Sequence, residues 1–220
     1  MGRLEKKIKV TTTIELITGL HIGGNDANIE IGGIDKQVIK LATRKNQPYI
    51  PGSSLKGKLR CLLEQLYGIS KVGGGNVNYD LKSEDCKNII DLFGYANDNK
   101  PSRLIVRDSY LTQESVIMLE EAKDSLDMLY TENKYENSID RVSGKATNPR
   151  QTERVPAGVT FDVEFIINKW EGDDENKLKS LLKEGIRAIE NDYLGGNGSR
   201  GYGQVKFGEL NFEDITFGNV

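Results

Sequence analysis

The alternation of apolar and polar residues predicts the strands of a sheet. From Ile8 to Leu16, and again from Val159 to Ile167, apolar side chains fall on alternate positions, as on a strand with one buried face. Shorter runs at residues 103–111 and 204–212 combine branched and aromatic residues with the same alternation. Residues 37–41 form a further β-like run. The chain is therefore predicted to form a sheet.

A first amphipathic helix is predicted between the early strands. The leucines between Leu55 and Leu66 recur three and four residues apart, which places them on one helix face. The helix is predicted to begin with Ser53 or Ser54 as its N-cap and to end near Gly68.

Two further helices complete an α+β pattern. Residues 175–191 repeat the helical spacing, and residues 88–93 are predicted as a short helix closed by Gly94. With residues 69–102 set aside as a helical and loop lid, and 126–158 as a solvent-facing hairpin, the order is strand, helix, strand, strand, helix, strand. This order is that of the ferredoxin-like (RRM-like) fold. We predict one domain, 1–220, with this βαββαβ core at about 1–68, 103–112 and 159–213.

Composition indicates a soluble globular protein, with 37% hydrophobic and 29% charged residues. No stretch approaches the roughly 18 apolar residues of a membrane span, and the N-terminal sequence lacks the apolar run of a signal peptide. We therefore expect a cytoplasmic protein with no membrane partner. The net charge of −3 argues against a general basic nucleic-acid binder. However, no acidic residue occurs between Lys36 and Arg60, which is compatible with a local basic face.

A glycine-rich loop near the C-terminus is the strongest candidate for phosphate binding. The run GNGSRG matches the dinucleotide fingerprint GxGxxG, but a predicted helix precedes it and a predicted strand follows it. This is the reverse of the setting that the fingerprint requires. Glycines let the backbone approach a ligand closely, and serine and arginine supply hydrogen-bond donors. The residues predicted to hold a phosphate are Gly196, Gly198, Ser199, Arg200 and Gly201.

The first predicted helix offers a second place for an anion. Its N-terminus combines Ser54 with backbone N–H groups that lack helical partners, where the helix dipole favours negative charge. Lys56 and Arg60 lie four residues apart and share one face. The alternative interpretation is a capped amphipathic helix with solvated cations. Because the glycine-rich loop is also suited to phosphate, we favour the interpretation that the helix start and the loop form one phosphate-binding surface.

Two other candidates lie in or just after the loop at residues 19–33. His21 is the only histidine, and no motif such as GxSxG is present, so hydrogen bonding to RNA or a structural role is favoured over general-base catalysis. Asp35 could position a divalent cation or an attacking hydroxyl, or it could cap a turn. The predicted hairpin carries three arginines that are either a solvated face or RNA contacts. These are Arg141, Arg150 and Arg154.

Five motifs, in this order, resemble a known protein family. They are GLHIGG at 19–24, GIDKQVIK at 33–40, IPGSSLKGKLR at 50–60, IDRVSGKATNPRQTERV at 139–155 and LGGNGSRGYGQVKF at 194–207. Together they resemble the backbone subunit of the Csm effector complex of type III-A CRISPR systems, which belongs to the RAMP superfamily of ferredoxin-like RNA binders. The resemblance covers nearly the whole chain and is weakest between Ile69 and Leu129.

The resemblance implies an RNA-guided, metal-dependent endoribonuclease that is active within a complex. Such subunits stack as a filament along the CRISPR RNA, each covering about six nucleotides, while base pairing reads the sequence. The hairpin would act as a thumb that displaces a base pair of the guide–target duplex. The implied partners are the CRISPR RNA guide, the target RNA, copies of the same chain and other Csm subunits. Asp35 matches the aspartate that cuts the target with a divalent metal ion, Mg or Mn.

The same resemblance assigns the other candidates. The guide-binding motifs contain His21, Ser54, Lys56, Arg60 and the loop from Gly196 to Gly201, and the thumb contains Arg141 and Arg154. Two alternatives stay open. The chain could be a non-catalytic backbone subunit that only binds guide RNA, or a stand-alone endonuclease that processes precursor CRISPR RNA.

Overall fold

A computed structural model of the chain describes residues 2–24, 36–69 and 79–217. Its strands are β1 (Leu4–Leu16), β2 (Lys40–Leu41), β3 (Gln47–Ile50), β4 (Leu104–Val106), β5 (Ser109–Leu111), β6 (Glu132–Ile139), β7 (Ala146–Arg154), β8 (Thr160–Trp170), β9 (Val205–Phe207) and β10 (Asn211–Thr216). Its helices are α1 (Gly52–Leu66), α2 (Glu84–Phe93), α3 (Gln113–Glu121) and α4 (Glu175–Glu190). This part of the chain has a mixed α/β fold with a large antiparallel sheet.

The two long alternating runs are strands, as predicted, and they form the centre of the sheet. β1 and β8 pair antiparallel, so that Val10 lies opposite Phe165 and Ile14 opposite Phe161. All four side chains are fully buried. The strand order is β10-β1-β8-β5-β3-β2, with β4 also paired to β8 and β9 also paired to β1. β10 and β2 therefore lie at opposite edges.

Helices α1, α2 and α4 pack against one another, α1 against β4 and α4 against β9. Their buried leucines and isoleucines join the apolar side chains of β1 and β8 in one hydrophobic core. Gly94 follows α2 with a positive φ, as the predicted helix end requires. None of the described helices is long and apolar enough to cross a membrane.

The start of α1 differs from the prediction. The helix begins at Gly52 with Pro51 as its N-cap, and no side chain caps it locally, so the predicted N-cap role of Ser53 or Ser54 is wrong. Instead, the N–H of Gly52 donates to Oδ1 of Asp108 at 2.8 Å. A carboxylate from a distant part of the chain thus satisfies one of the N–H groups that the first helical turn leaves without a helical partner.

Strands β6 and β7 form a separate two-stranded antiparallel hairpin within the predicted hairpin region. Its base is joined to the rest of the molecule through Val155, whose N–H and C=O both bond to Leu20. A parallel bridge between Lys36 and Thr152 adds a second connection. The base of the hairpin thus lies against the segments on either side of residues 25–35.

Three predicted strands are shorter or interrupted in the structure. The run at 103–111 is divided into β4 and β5 between Val106 and Ser109, where the Asp108 side chain accepts the hydrogen bond from the start of α1. The run at 204–212 is divided into β9 and β10 at Gly208, which bonds to Thr12 and Thr13. Of residues 37–41, only Lys40 and Leu41, which form β2, pair with another strand, β3, in a ladder.

Helix α3 was not predicted from the sequence. Thr112 caps it through a hydrogen bond from the Ser115 N–H, but among its residues only Ser115 and Leu119 are buried. A helix with so small a buried face leaves little periodic signal in the sequence.

Candidate nucleic-acid interface

The glycine-rich loop connects the end of α4 to β9. A helix therefore precedes it and a strand follows it, which confirms that it is not a dinucleotide fingerprint. Gly198–Arg200 forms one 3-10 turn between two left-handed residues, Asn197 and Gly201. Ser199 and Arg200 are exposed at this turn. The loop therefore presents a hydroxyl and a guanidinium to solvent.

Two glycines of the loop are required by close packing. A Cβ on Gly195, whose φ is +76°, would lie 2.3 Å from the carbonyl oxygen of His21, and one on Gly198 would lie 2.0 Å from the Tyr193 ring. The N–H of Gly196 donates to the same His21 oxygen at 2.8 Å. The loop is therefore fixed to the segment 19–24 rather than hanging free.

Charged and aromatic side chains join this loop to the base of the hairpin. Nζ of Lys134, on β6, donates to the Arg200 carbonyl at 3.2 Å and lies 4.2 Å from the centroid of the buried Tyr202 ring. The guanidinium of Arg154 lies 5.3 Å from the same centroid. Nη1 of Arg200 pairs with Oε2 of Glu136 at 3.8 Å. Two cations thus lie over Tyr202 where the loop meets the hairpin, and Arg200 pairs with Glu136 on the same hairpin strand as Lys134.

The predicted arginines of the hairpin differ in their surroundings. Arg154 donates from Nε to Oε1 of Glu132 at 2.7 Å and keeps 23% of its side chain exposed. Arg150 donates to the Ser138 hydroxyl at 3.3 Å. Arg141 is exposed in the turn between β6 and β7. Arg154 therefore lies at the base of the hairpin and Arg141 at its tip.

Lys56 and Arg60 share one face of α1, as predicted, but this face contacts the region of residues 79–104. Nζ of Lys56 donates to the Ser102 hydroxyl and the Leu104 carbonyl, both at 2.7 Å. Burial lowers the pKa of Lys56, and the nearby charge of Arg60 lowers it further. Arg60 donates to Glu64 at 2.8 Å and to the Tyr79 hydroxyl at 2.5 Å.

The cation of α1 that contacts the glycine-rich loop region is Lys58, which the sequence analysis did not select. Its Nζ donates to Asp192 at 2.5 Å and lies 3.8 Å from the Tyr193 ring centroid. Side chains two positions apart on a helix point in nearly opposite directions, so Lys56 and Lys58 serve different surfaces. Ser54 lies in the first turn, half-buried, with its N–H bonded to the Pro51 carbonyl.

His21 is buried between the glycine-rich loop and the hairpin, with 7% of its surface exposed. Its Nδ1 lies 2.7 Å from the backbone carbonyl of Glu153. Because a carbonyl only accepts, Nδ1 is a donor and carries a proton. The geometry supports the structural role that the sequence left open for this residue.

Glu153 is the functional candidate that sequence reasoning missed. Its side chain is fully buried, and its carboxylate accepts from the Val38 N–H at 2.9 Å and the Thr131 hydroxyl at 2.6 Å. It also forms an ion pair with Lys40. Its own N–H donates to the Lys36 carbonyl at 3.0 Å. One carboxylate on the hairpin thus holds the segment that directly follows Asp35.

Asp35, the predicted catalytic and metal-binding residue, lies outside the described residues. Within residues 2–24, 36–69 and 79–217, no cluster of three or more His, Cys, Asp or Glu side chains is placed to hold a metal ion. The buried carboxylate of Glu153 already accepts from the Val38 N–H and the Thr131 hydroxyl and pairs with Lys40. The described residues alone therefore do not form a metal-binding cage.

Comparison with known proteins gives consistent matches over nearly the whole chain. The sequence model of the RAMP superfamily matches residues 13–206. A protein of Streptococcus thermophilus named CRISPR system Cms endoribonuclease Csm3 is 44% identical, over 97% of this chain and 92% of that protein. A protein of the same name from Methanothermobacter thermautotrophicus is 40% identical, over 96% of this chain and 88% of that protein.

Solved structures agree with these sequence matches. A chain in the crystal structure of the Csm3-Csm4 subcomplex of the type III-A CRISPR-Cas interference complex aligns with a TM-score of 0.56 at 29% identity, covering 97% of this chain and 82% of that one. A chain in the type III-B Cmr-beta complex bound to cognate target RNA has a TM-score of 0.63 at 17% identity, over 96% of this chain and 61% of its own length, and shows the shared fold. The chain belongs to the RAMP superfamily and, within it, to the Csm3 family.

Proposed function

We propose that this chain is an RNA-guided endoribonuclease, the backbone subunit of a type III-A CRISPR effector complex that binds the CRISPR RNA guide and cuts complementary target RNA. The observation that carries the proposal is the surface where the glycine-rich loop meets the hairpin. There, Lys134 and Arg154 lie over the Tyr202 ring, and the exposed Arg200 is followed by Gly201, where an added Cβ would meet nothing within 4 Å. Cations and close backbone approach are what an RNA phosphate requires.

The charges at this surface explain how an acidic protein could bind RNA. The whole chain carries −3, so a general attraction to phosphate is not its basis. Glu132 and Glu136 pair with Arg154 and Arg200 and keep these side chains in place at the hairpin. A phosphate that replaces either carboxylate would meet an arginine already positioned for it. Binding is therefore local and depends on the arrangement of a few cations.

Cleavage is assigned to Asp35 through the family resemblance. Relatives with full-length similarity are named endoribonucleases. In this chain the Glu153 carboxylate binds the Val38 N–H and Lys40. It thereby holds the residues that follow Asp35 against the hairpin base. A divalent ion, Mg or Mn, is proposed as the cofactor, with Asp35 as the candidate protein ligand. The protein's own part is to hold the target backbone in a reactive geometry.

The finer features of the fold and assembly belong to the same proposal. The order β9-β1-β8-β4, with α1 and α4 among the connections, supports a ferredoxin-like core with a lid at about 69–102 and a thumb at about 126–158. The chain is proposed to act in the cytoplasm, as several copies stacked along the guide RNA together with other Csm subunits. Sequence would be read by base pairing and not by the protein.

The test is a cleavage assay with the reconstituted complex. Asp35→Ala is expected to abolish cutting of the complementary RNA while guide content and target binding stay unchanged, and EDTA is expected to stop the wild-type reaction. Arg200→Ala, in the glycine-rich loop, serves as the matched variant, because it is expected to reduce guide binding rather than the rate of cutting.

Two outcomes would contradict the proposal. Full cutting by the Asp35→Ala complex would assign the chain to a non-catalytic backbone role. Cutting of precursor CRISPR RNA by the isolated chain, without metal, would instead indicate a stand-alone processing enzyme.

A further inference from the structure

A groove of about 690 Å³ opens beside the segments that flank residues 25–35. It is lined by Gly23 and Gly24, by residues 37–40, and by Asn46 and Tyr49 from the β2–β3 connection and β3. Its volume lies within the range of roughly 300 to 1,000 Å³ that is typical of small-ligand sites. Its lining combines backbone groups, amides, an ammonium and one aromatic ring.

The floor of the groove is a short ribbon with fixed geometry. The N–H of Gly24 donates to the Gln37 carbonyl at 3.0 Å, and the N–H of Ile39 donates to the Ile22 carbonyl at 2.9 Å. Glu153 holds the other side of this ribbon through Val38. Hydrogen bonds therefore fix the floor of the groove, and Asp35 precedes its wall residue Gln37 by only two positions in the chain.

The Tyr49 ring is supported from one side. β3 and β5 place it opposite Tyr110, with ring centroids 6.1 Å apart, and the guanidinium of Arg44 lies 3.9 Å from the centroid of Tyr110. Burial, and next the charge of Asp108, raise the pKa of Tyr49, so its phenol stays neutral and can donate a hydrogen bond. A supported aromatic ring at the rim of a polar groove is suited to stacking with a nucleobase.

The groove and the glycine-rich loop both adjoin the segment 19–24. A Cβ on Gly196 would be 3.5 Å from Cδ2 of His21, and a Cβ on Gly23, which lines the groove, would be 3.7 Å from Nε2. The segment 19–24 therefore contributes to both surfaces. On the loop surface Arg200 keeps 47% of its side chain exposed, at 3.8 Å from Glu136. In the groove Lys40 is less exposed, at 25%, and is paired with the buried Glu153.

We propose that this groove is a subsite for one nucleotide of the target strand, with its base stacked on Tyr49 and its polar edge facing Asn46. The inference rests on the proposed function and specifies a contact to the target, as distinct from the guide, in a groove whose wall residue Gln37 follows Asp35 by two positions in the chain. A groove whose cation is already neutralised favours a base over a phosphate, since the attraction left there is stacking and neutral hydrogen bonding.

The experiment compares Tyr49→Ala and Tyr49→Phe in the reconstituted, guide-loaded complex. Tyr49→Ala is expected to weaken target RNA binding about 5- to 100-fold, as loss of one base–aromatic stack does, with guide content unchanged. Tyr49→Phe keeps the ring and is expected to bind target within about twofold of wild type. Phe217→Ala removes an exposed aromatic residue just after β10, at the other edge of the sheet, and is the matched control with unchanged binding.

Each result decides the assignment. Wild-type target affinity in Tyr49→Ala would overturn the subsite, and an equal loss of guide from that variant would assign the groove to the guide strand instead. These failures differ from failure of the proposed function, in which the wild-type complex itself would hold no guide or cut no target.

Discussion

The sheet core and the β6–β7 hairpin are held by different forces. In the core, side chains such as Phe161 and Phe165 are completely buried. In the hairpin, Tyr135 and Ile139 are 66% and 70% exposed, and Val142 in the turn is 98% exposed. Apolar burial therefore stabilises the core without a partner, whereas the apolar side chains of the hairpin gain burial only from another molecule.

The difference also explains why the hairpin needs a polar base. Two strands alone are marginally stable in water. Ion pairs and hydrogen bonds such as Arg154 to Glu132, Lys134 to the Arg200 carbonyl, and Thr131 to Glu153 fix its base instead. An element held in this way keeps its direction while its tip stays available for RNA.

The largest expected effect is on the core. Phe165→Ala should lower the free energy of unfolding by about 4 kcal/mol, because it removes a fully buried ring and leaves a cavity. Urea denaturation followed by circular dichroism measures this change. Tyr135→Ala, on the hairpin, should change the same quantity by less than about 1 kcal/mol. Equal losses in the two variants would contradict the division between core and hairpin.

A smaller effect is expected where core and hairpin meet. Glu153→Ala should lower the free energy of unfolding by about 3 kcal/mol, because Lys40 loses its partner and the buried Val38 N–H loses its acceptor. Chemical denaturation of the purified chain gives this value directly.

A double-mutant cycle separates the ion pair from the other bonds of Glu153. Glu153→Gln and Lys40→Met each leave one charge without its partner, so the double variant should be more stable than the sum of the single losses implies. Additive losses would show that the pair contributes nothing beyond its separate side chains.

The core was largely predictable from the sequence, because apolar residues recur in the sequence at the spacing of a buried helix or strand face. β1, β8, α1 and α4 each bury one face along many residues, and all four were predicted close to their observed bounds. Helix α3 buries only Ser115 and Leu119 among its residues, and β3 is four residues long, so neither left a usable pattern.

The site was less predictable because its contacts join distant parts of the chain. Local glycine content revealed the loop at 195–203, but Glu153 and Val38 are 115 residues apart and Lys58 and Asp192 are 134 apart. No local spacing rule relates such pairs. The same holds for Asp108, which bonds to the start of α1 from 56 residues away.

The smallest expected effect on stability, and the sharpest on function, concerns the hairpin tip. Val142→Ser should leave the free energy of unfolding within about 0.5 kcal/mol of wild type, because the side chain is 98% exposed. If the tip inserts beside a base pair of the guide–target duplex, loss of this apolar contact should slow target cleavage by about three- to tenfold. Single-turnover cleavage by the assembled complex measures the rate, and Val142→Ile, which keeps the apolar surface, should cut as fast as wild type. An unchanged rate in Val142→Ser would mean that the tip remains in water when RNA is bound, and the exposed apolar residues of the hairpin would then have to serve a protein contact instead.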